Sequence, residues 1–285
     1  MTQIIFICRR SPDWASLSRD YQQGLKIDDS RYVPQEHIPG FPKDLPRLIA
    51  KWNKSKKVDF FTFRATVAEI SQQSIRSVPS SISLEANDPR LAEIVAGHPD
   101  ALIYFHDDDD FFSPDIAKDA EAAAEKGGAF DVLVSPLPRI GLPTYTFVTP
   151  EMEPEFVWGA PTPFHYTFQS NNYGLRLGGG IPAEDLLKYA DHVEASAFAD
   201  ETKPVIRYSS KILSATIKTP ASASLLQFFF GRRARLLSLL GRRTWRDSYF
   251  QDFVKACDTS ALPADLDWLR RDSDKVIALV DKAGG

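Results

Sequence analysis

Apolar positions recur along the chain with two different periods, and the points where one period gives way to the other mark out its elements. Ile4, Ile5, Phe6 and Ile7 run without interruption into Cys8 and are closed off by Arg9, Arg10, Ser11 and Pro12. A short run bounded in this way predicts a strand buried on both faces. Trp14, Leu17, Tyr21 and Leu25 then fall at helical spacing, predicting a helix over 12–24 with Ser11 as its cap and Pro12 in its first position. Prolines between Val33 and Pro46 predict loops. Phe60, Phe63, Val67 and Ile70 predict a helix over 58–75, with Arg64 and Arg76 flanking its apolar face. A strand over 80–85 and a short helix over 89–96 follow.

The stretch from Ala101 to Asp131 carries the sharpest pattern. Leu102, Ile103, Tyr104 and Phe105 form a second buried strand, which stops at Asp107, Asp108, Asp109 and Asp110. Ser113-Pro114-Asp115 is a good helix start, the alanine-rich segment to Lys126 is the helix, and Gly127-Gly128 end it. The run over 130–136 is the next strand. Strand, acidic loop, helix and strand in that order are the signature of an α/β sheet whose loop lies at the carboxyl end of a strand. Beyond Pro138 the segments 144–149 and 164–168 alternate as edge or antiparallel strands do. Gly178-Gly179-Gly180 then break the chain, and Pro182-Ala183-Glu184-Asp185 open a helix reaching about Val193. Further strand and turn are expected over 205–217, and helix over most of 225–281. No internal repeat is visible.

Composition narrows the class. With 285 residues, 43% of them hydrophobic and 25% charged, the chain can bury a full core and is neither disordered nor collagenous. Lys and Arg number 34 against 38 Asp and Glu, a net charge of −4, so nothing general favours nucleic acid as a partner. Cys8 and Cys257 lie far apart and belong to no metal-binding spacing, so neither a disulfide framework nor a zinc site is implied. No apolar run is long enough for a spanning helix or a signal peptide, and the expectation is a cytoplasmic protein.

Four adjacent carboxylates after a buried strand repel one another unless water or a cation neutralises them. Hard oxygen ligands suit Mg²⁺ or Mn²⁺, and Mg²⁺ is commonly held by one or two carboxylates together with substrate phosphates. In an extended segment Asp108 and Asp110 point to one side and Asp107 and Asp109 to the other, although a turn could exchange the pairs. A solvated acidic loop capping the next helix is the plain structural alternative.

The segment Tyr104-Phe105-His106-Asp107-Asp108-Asp109-Asp110 resembles the strand and DxD element of GT-A-fold glycosyltransferases, and its DDDD form is similar to bacterial rhamnosyltransferase-like proteins. The resemblance covers about residues 1–220. It implies a GT-A-like, Rossmann-related mixed sheet flanked by helices, which binds nucleotide sugar and acceptor, with a helical C-terminal region over 221–285. It also implies a metal-dependent hexosyl- or deoxyhexosyltransferase. Asp108, Asp109 and Asp110 would serve the metal, and Asp107 and Asp108 the nucleotide sugar. Glu184-Asp185 is similar to the Glu-Asp pair that supplies the base in inverting members, with Asp185 the base. The QxxRW motif of processive polymer synthases is absent from the sequence.

Other residues are candidates by chemistry alone. Arg9 and Arg10 follow the first strand, and their guanidinium groups, with that of Arg64, suit phosphate. Asn171 and Asn172 offer amides to sugar hydroxyls, or form a turn with Ser170 and Tyr173. His106, His165 and His192 are candidates for a further metal ligand. Leu225–Arg246 sets Phe228, Phe229 and Phe230 beside arginines 232, 233, 235, 242, 243 and 246. Such a segment either meets an anionic membrane at the inner face, suiting a lipid-linked or glycan acceptor, or packs in the core with its arginines solvated. Two further readings remain. A haloacid-dehalogenase-type phosphohydrolase would use Asp107 as nucleophile and Asp109 as acid, but position 111 is Phe where that pattern has Thr or Val. The other is a non-enzymatic module binding carbohydrate or a cation.

Overall fold

The computed structural model describes residues 2–9, 12–32, 44–141, 171–176, 183–231 and 250–284, with 252, 256 and 258 excepted. Its contacts divide the chain into two compact units. One comprises Met1–Arg10, Ser71–Pro138 and Ala160–Thr216, and the other Ser11–Ile70, Arg139–Gly159 and Ile217–Gly285.

The first unit is built on a mixed six-stranded sheet flanked by helices, in agreement with the α/β expectation. Strands β1 (Ile4–Cys8), β2 (Ile82–Glu85), β3 (Leu102–His106), β5 (Val132–Val134), β7 (Tyr173–Arg176) and β8 (Ile206–Tyr208) lie in the order β2-β1-β3-β7-β5-β8. β1 is parallel to both β2 and β3, β7 runs antiparallel between β3 and β5, and β8 is parallel to β5. The pleat sends Ile5, Ile7, Ile103 and Phe105 into one core cluster, while Ile4, Phe6, Leu102 and Tyr104 enter a second. Both faces are covered, which is why these strands read as unbroken apolar runs. Each such side chain, Phe6 at 0% exposure for example, contributes about 1.5–3 kcal/mol by leaving water.

Helices α3 (Phe60–Arg76), α4 (Leu91–Gly97) and α5 (Ile116–Gly127) match their sequence patterns within a few residues. Two strands do not follow from periodicity, and a further strand of two residues, β6 (Arg139–Ile140), falls in the second unit. β4 (Asp110–Phe112) is only three residues long and opens on a carboxylate, yet it pairs antiparallel with β9 (Ser214–Ile217), Asp110 opposite Thr216. β7 holds a glycine because Gly174 faces Tyr104 across the ladder, and a Cβ there would lie 2.6 Å from the tyrosine ring. The helix expected from Pro182 to Val193 is in fact a 3-10 segment, Ala183–Ala190, followed after a bend at Asp191 by α6 (His192–Thr202).

In the second unit α1 (Trp14–Gln22) is capped by Asp13, whose carboxylate accepts from the Ser16 amide at 2.9 Å, and Ser11, the expected cap, lies outside the described residues. A carboxylate is a stronger acceptor than a hydroxyl and complements the helix dipole as well. The apolar face of α1 is also shorter than its spacing suggests, since Tyr21 is 39% and Leu25 54% exposed. Helix α2 (Leu45–Ser55) replaces the end of the expected proline loop. Its buried Leu45, Leu48, Ile49 and Trp52 follow helical spacing, and Pro46 sits in the first turn, where its missing N–H does no harm. Trp52 centres an aromatic cluster, 5.1 Å from Phe63, 5.6 Å from Phe230 and 5.5 Å from Phe250 between ring centres. Phe230 ends helix α7 (Ala223–Phe230), and the chain closes with α8 (Asp267–Gly284). Among the described residues no helix is long and apolar enough to cross a membrane.

Candidate functional site

The strand order sets the place. From β1 the chain passes to β2 on one side, then returns past β1 to β3 on the other, and everything after β3 continues away from β1. The connections therefore part between the carboxyl ends of β1 and β3, the crevice where open α/β sheets bind ligands. Arg9 follows β1 directly and Asp107 follows β3 directly, and their side chains meet there.

The acidic turn is held from below by its own last carboxylate. Asp110 is 1% exposed; its Oδ2 accepts from the Asp107 amide at 2.7 Å and its Oδ1 from the Thr216 hydroxyl at 2.8 Å. Behind the turn, the Ser71 hydroxyl donates to the Asp110 carbonyl at 2.6 Å. The Ser74 hydroxyl donates to the Phe112 carbonyl at 3.0 Å and accepts from the Phe112 amide at 2.9 Å. Two serines one turn apart at the end of α3 thus anchor β4. Asp109 is also buried, at 5% exposure, whereas Asp108 is only half-buried.

Arg9 takes hold of the turn from the side. Its Nε donates to Asp107 Oδ1 at 3.0 Å and its Nη2 to Oδ2 at 2.9 Å, a bidentate pair, while Nη1 donates to the Ala190 carbonyl at 2.8 Å. Burial opposes the guanidinium charge, but the carboxylates of Asp107 and Asp110 outweigh it, and the pKa of Arg9 is raised. Asp107 remains 43% exposed on its other side. Burial, reinforced by Glu85, Asp108, Asp107 and Asp110, raises the Cys8 thiol and favours its protonated form.

His106 lies inside the protein. Its ring is fully buried, edge-on to Phe6 and Phe112 at 6.3 and 6.2 Å, and Nδ1 lies 3.0 Å from the Asp107 carbonyl. A carbonyl only accepts, so Nδ1 carries the proton and Nε2, which has no hydrogen-bond partner among the described residues, keeps its lone pair. Burial lowers the His106 pKa and leaves the ring neutral. Through Nδ1 it braces the turn.

The other candidates are distributed as follows. Asn172 is 4% exposed, its amide donating to the Ser135 carbonyl at 3.0 Å, and Asn171 is 0% exposed, donating to the Ala215 carbonyl at 3.3 Å. Both asparagines brace strand ends. Asp185 pairs with Lys188 at 2.5 Å. Arg64 belongs to the second unit, its guanidinium 5.2 Å from the centre of the Trp14 ring. Arg10, His165 and Ser170, the side chains of Glu184, His192 and Phe228, the segments 144–149 and 164–168, the glycines 178–180 and all six arginines of 232–246 lie outside the described residues. At the start of the basic segment Leu225, Leu226, Phe229 and Phe230 are buried.

One residue at the site escaped the sequence reading. Asp191 follows the carbonyl that Arg9 holds, and its charge, with that of Asp107, bears on the buried Tyr173 phenol, whose hydroxyl donates to the Tyr189 carbonyl. The signal was present in Asp191-x-x-Glu194, a helix-start pattern that a single long helix over 182–193 obscures.

Neither the protein-family models nor the curated proteins contain a match to the sequence. Among solved structures the chain is similar to S. aureus TarS. The crystal structure of TarS 1–349 is matched over 99% of this chain and 90% of that one, at 12% identity and a TM-score of 0.33. A second TarS crystal structure is matched over 99% and 55%, at 14% identity and a TM-score of 0.30. Likeness of that order transfers neither fold nor activity, and the function of the chain rests on its own residues.

Proposed function

We propose that the protein is a GT-A-type glycosyltransferase, a hexosyl- or deoxyhexosyltransferase that moves a sugar from a nucleotide-sugar donor to a glycan or lipid-linked acceptor. The observation that carries this reading is the acidic turn Asp107–Asp110, set at the carboxyl ends of β1 and β3 where the connections part. Phosphate-bearing ligands are bound at that place in α/β sheets.

The donor set fits a hard divalent cation, Mg²⁺ or Mn²⁺, in a particular way. Asp110 has both oxygens engaged by protein donors and Asp107 has both against Arg9, while Asp108 is half-buried and Asp109 buried. Among the described residues no three His, Cys, Asp or Glu side chains converge as ligands. A cation here would thus rest on one or two carboxylates and chiefly on the diphosphate itself, as Mg²⁺ commonly does. Once bound it would neutralise charge on the departing diphosphate. On the acceptor side Asp185, if inversion is the outcome, takes the acceptor hydroxyl's proton. The acceptor oxygen then bonds to the anomeric carbon, and the diphosphate leaves with the electron pair of the broken C–O bond. A lipid-linked acceptor would bring the protein to the inner face of the cytoplasmic membrane, and the six arginines within 232–246 are the charge that an anionic surface attracts.

The test is thermal stabilisation by a panel of nucleoside diphosphates and nucleotide sugars, with and without Mn²⁺, on wild type and Asp108→Asn. One nucleotide at about 100 times its Kd should add about 2.7 kcal/mol, only with the metal, and the gain should vanish in the variant. Stabilisation by phosphate analogues alone, with hydrolysis of a phosphate ester, would replace this reading with the phosphohydrolase.

A further inference from the structure

We infer that Arg9 is a positioning residue of this site: a clamp that fixes the acidic turn against the Ala190–Asp191 corner and so orients Asp107 for the donor. The inference rests on the transferase reading and deepens it. The sequence suggests that Arg9 meets phosphate directly, but the geometry gives its guanidinium a different task. Of five N–H groups, three are spent inside the protein, two on the Asp107 carboxylate at 3.0 and 2.9 Å and one on the Ala190 carbonyl at 2.8 Å. The Arg9 amide adds a fourth tie, donating to the His106 carbonyl at 3.0 Å. One side chain thus joins three segments that are distant in sequence: the end of β1, the turn after β3 and the corner before α6.

The physical effect is specific to a guanidinium. A planar fork on a carboxylate fixes its rotation as well as its position, which a lysine ammonium does not do. The Arg9 side chain is 16% exposed and that of Asp107 is 43% exposed, so the clamp is set back while the carboxylate it orients faces outward. Asp107 offers only acceptor lone pairs, and a hydroxyl-bearing donor is what it can receive. Arg9 also balances one of the four charges of the turn, so Asp107 can be held beside Asp108 and Asp110 without a bound cation.

The experiment measures nucleotide binding by the full chain in Mn²⁺ for wild type, Arg9→Lys, Arg9→Met, Asp107→Asn and the Arg9→Met/Asp107→Asn double variant. Each measurement is repeated with free guanidinium at a concentration well below denaturing. The expected result is a loss of affinity of at least about tenfold in Arg9→Met, only partial recovery in Arg9→Lys, and restoration of Arg9→Met by guanidinium. In the double variant the two losses should fall short of additive, because Arg9 acts through Asp107. Arg9→Lys keeps the charge and serves where Arg9→Met does not fold. Wild-type affinity in both Arg9 variants, or strictly additive losses, would overturn the clamp and leave the transferase reading standing. Absence of nucleotide binding in wild type would overturn both.

Discussion

At the amino ends of β1 and β3, Thr2, Gln3, His98, Asp100, Glu121 and Arg176 border a hollow of about 490 Å³. Asp100 is exposed, and the Arg176 guanidinium lies over the Phe130 ring, 4.5 Å from its centre. At the carboxyl ends of the same two strands Asp109 and Asp110 are buried, and Asp107 is locked to Arg9. At the first end Asp100 is left near water, which screens it, and Glu121 accepts from the Thr2 amide. At the second, Asp110 is drawn into the protein and matched with two donors and Asp107 is matched with a guanidinium, an arrangement that solubility does not require. Buried and paired charges of this kind stand here where strand topology already places a ligand crevice.

The contrast breaks most visibly at Asp110. Asp110→Ala takes the acceptor from two donors, the Asp107 amide and the Thr216 hydroxyl. A buried donor without a partner costs about 1–3 kcal/mol, so unfolding in urea should show a loss of about 3 kcal/mol, together with loss of nucleotide stabilisation. A loss under about 1 kcal/mol would mean the turn is held by something other than this carboxylate.

Gly174→Ala separates stability from binding. The added methyl would meet the Tyr104 ring at 2.6 Å, in the body of the sheet between the two ends. Overpacking of this kind costs about 1–3 kcal/mol. The variant should therefore lose about 2 kcal/mol while its nucleotide response, measured below its own melting range, stays that of wild type. If the response falls in step with stability, the effect at Asp110 is no evidence for a site.

Much of this contrast could be read before folding, and the reasons for the remainder are physical. β1 and β3 are legible because both faces are covered, so the apolar run is continuous, and the tetrad stands out because it ends such a run. Which carboxylate does what was not legible. The extended-strand rule pairs Asp108 with Asp110, but the chain turns at once and sends Asp110 inward to Thr216, over a hundred residues away. β7 was missed because Gly174 answers to Tyr104 on another strand and not to its own neighbours. Helix α2 was missed for a local reason: Pro46 reads as a loop signal unless it is placed in the first turn, after which Leu45, Leu48, Ile49 and Trp52 fall into line. The partners of Arg9, lying 98 and 181 positions away, are beyond any local pattern.

A smaller effect should appear with pH. Burial depresses the His106 pKa below its ordinary 6.5, so the folded ring stays neutral where the unfolded chain takes up a proton. Stability supplied by this group is therefore full above pH 6.5 and lost as the pH falls below that value, by up to about 1.4 kcal/mol per pH unit for one proton. In His106→Gln that part of the slope should disappear from urea titrations between pH 7 and 5. An unchanged slope would move its origin to other groups and weaken the case that the carboxyl end is the electrostatically tuned one.

The smallest effect is expected at the amino end, and it is the one that makes the comparison two-sided. Asp100 is exposed beside the hollow. Removing an exposed carboxylate changes little, so Asp100→Ala should alter stability by less than about 0.5 kcal/mol. Its nucleotide response should be that of wild type, because charge at the far end of the strands acts on the crevice only through screened distance. If Asp100→Ala instead weakened the response as Asp108→Asn does, the ligand would be binding at the hollow. The buried charges at the carboxyl end would then be a purely structural feature, and the crevice would lose its claim to the chemistry.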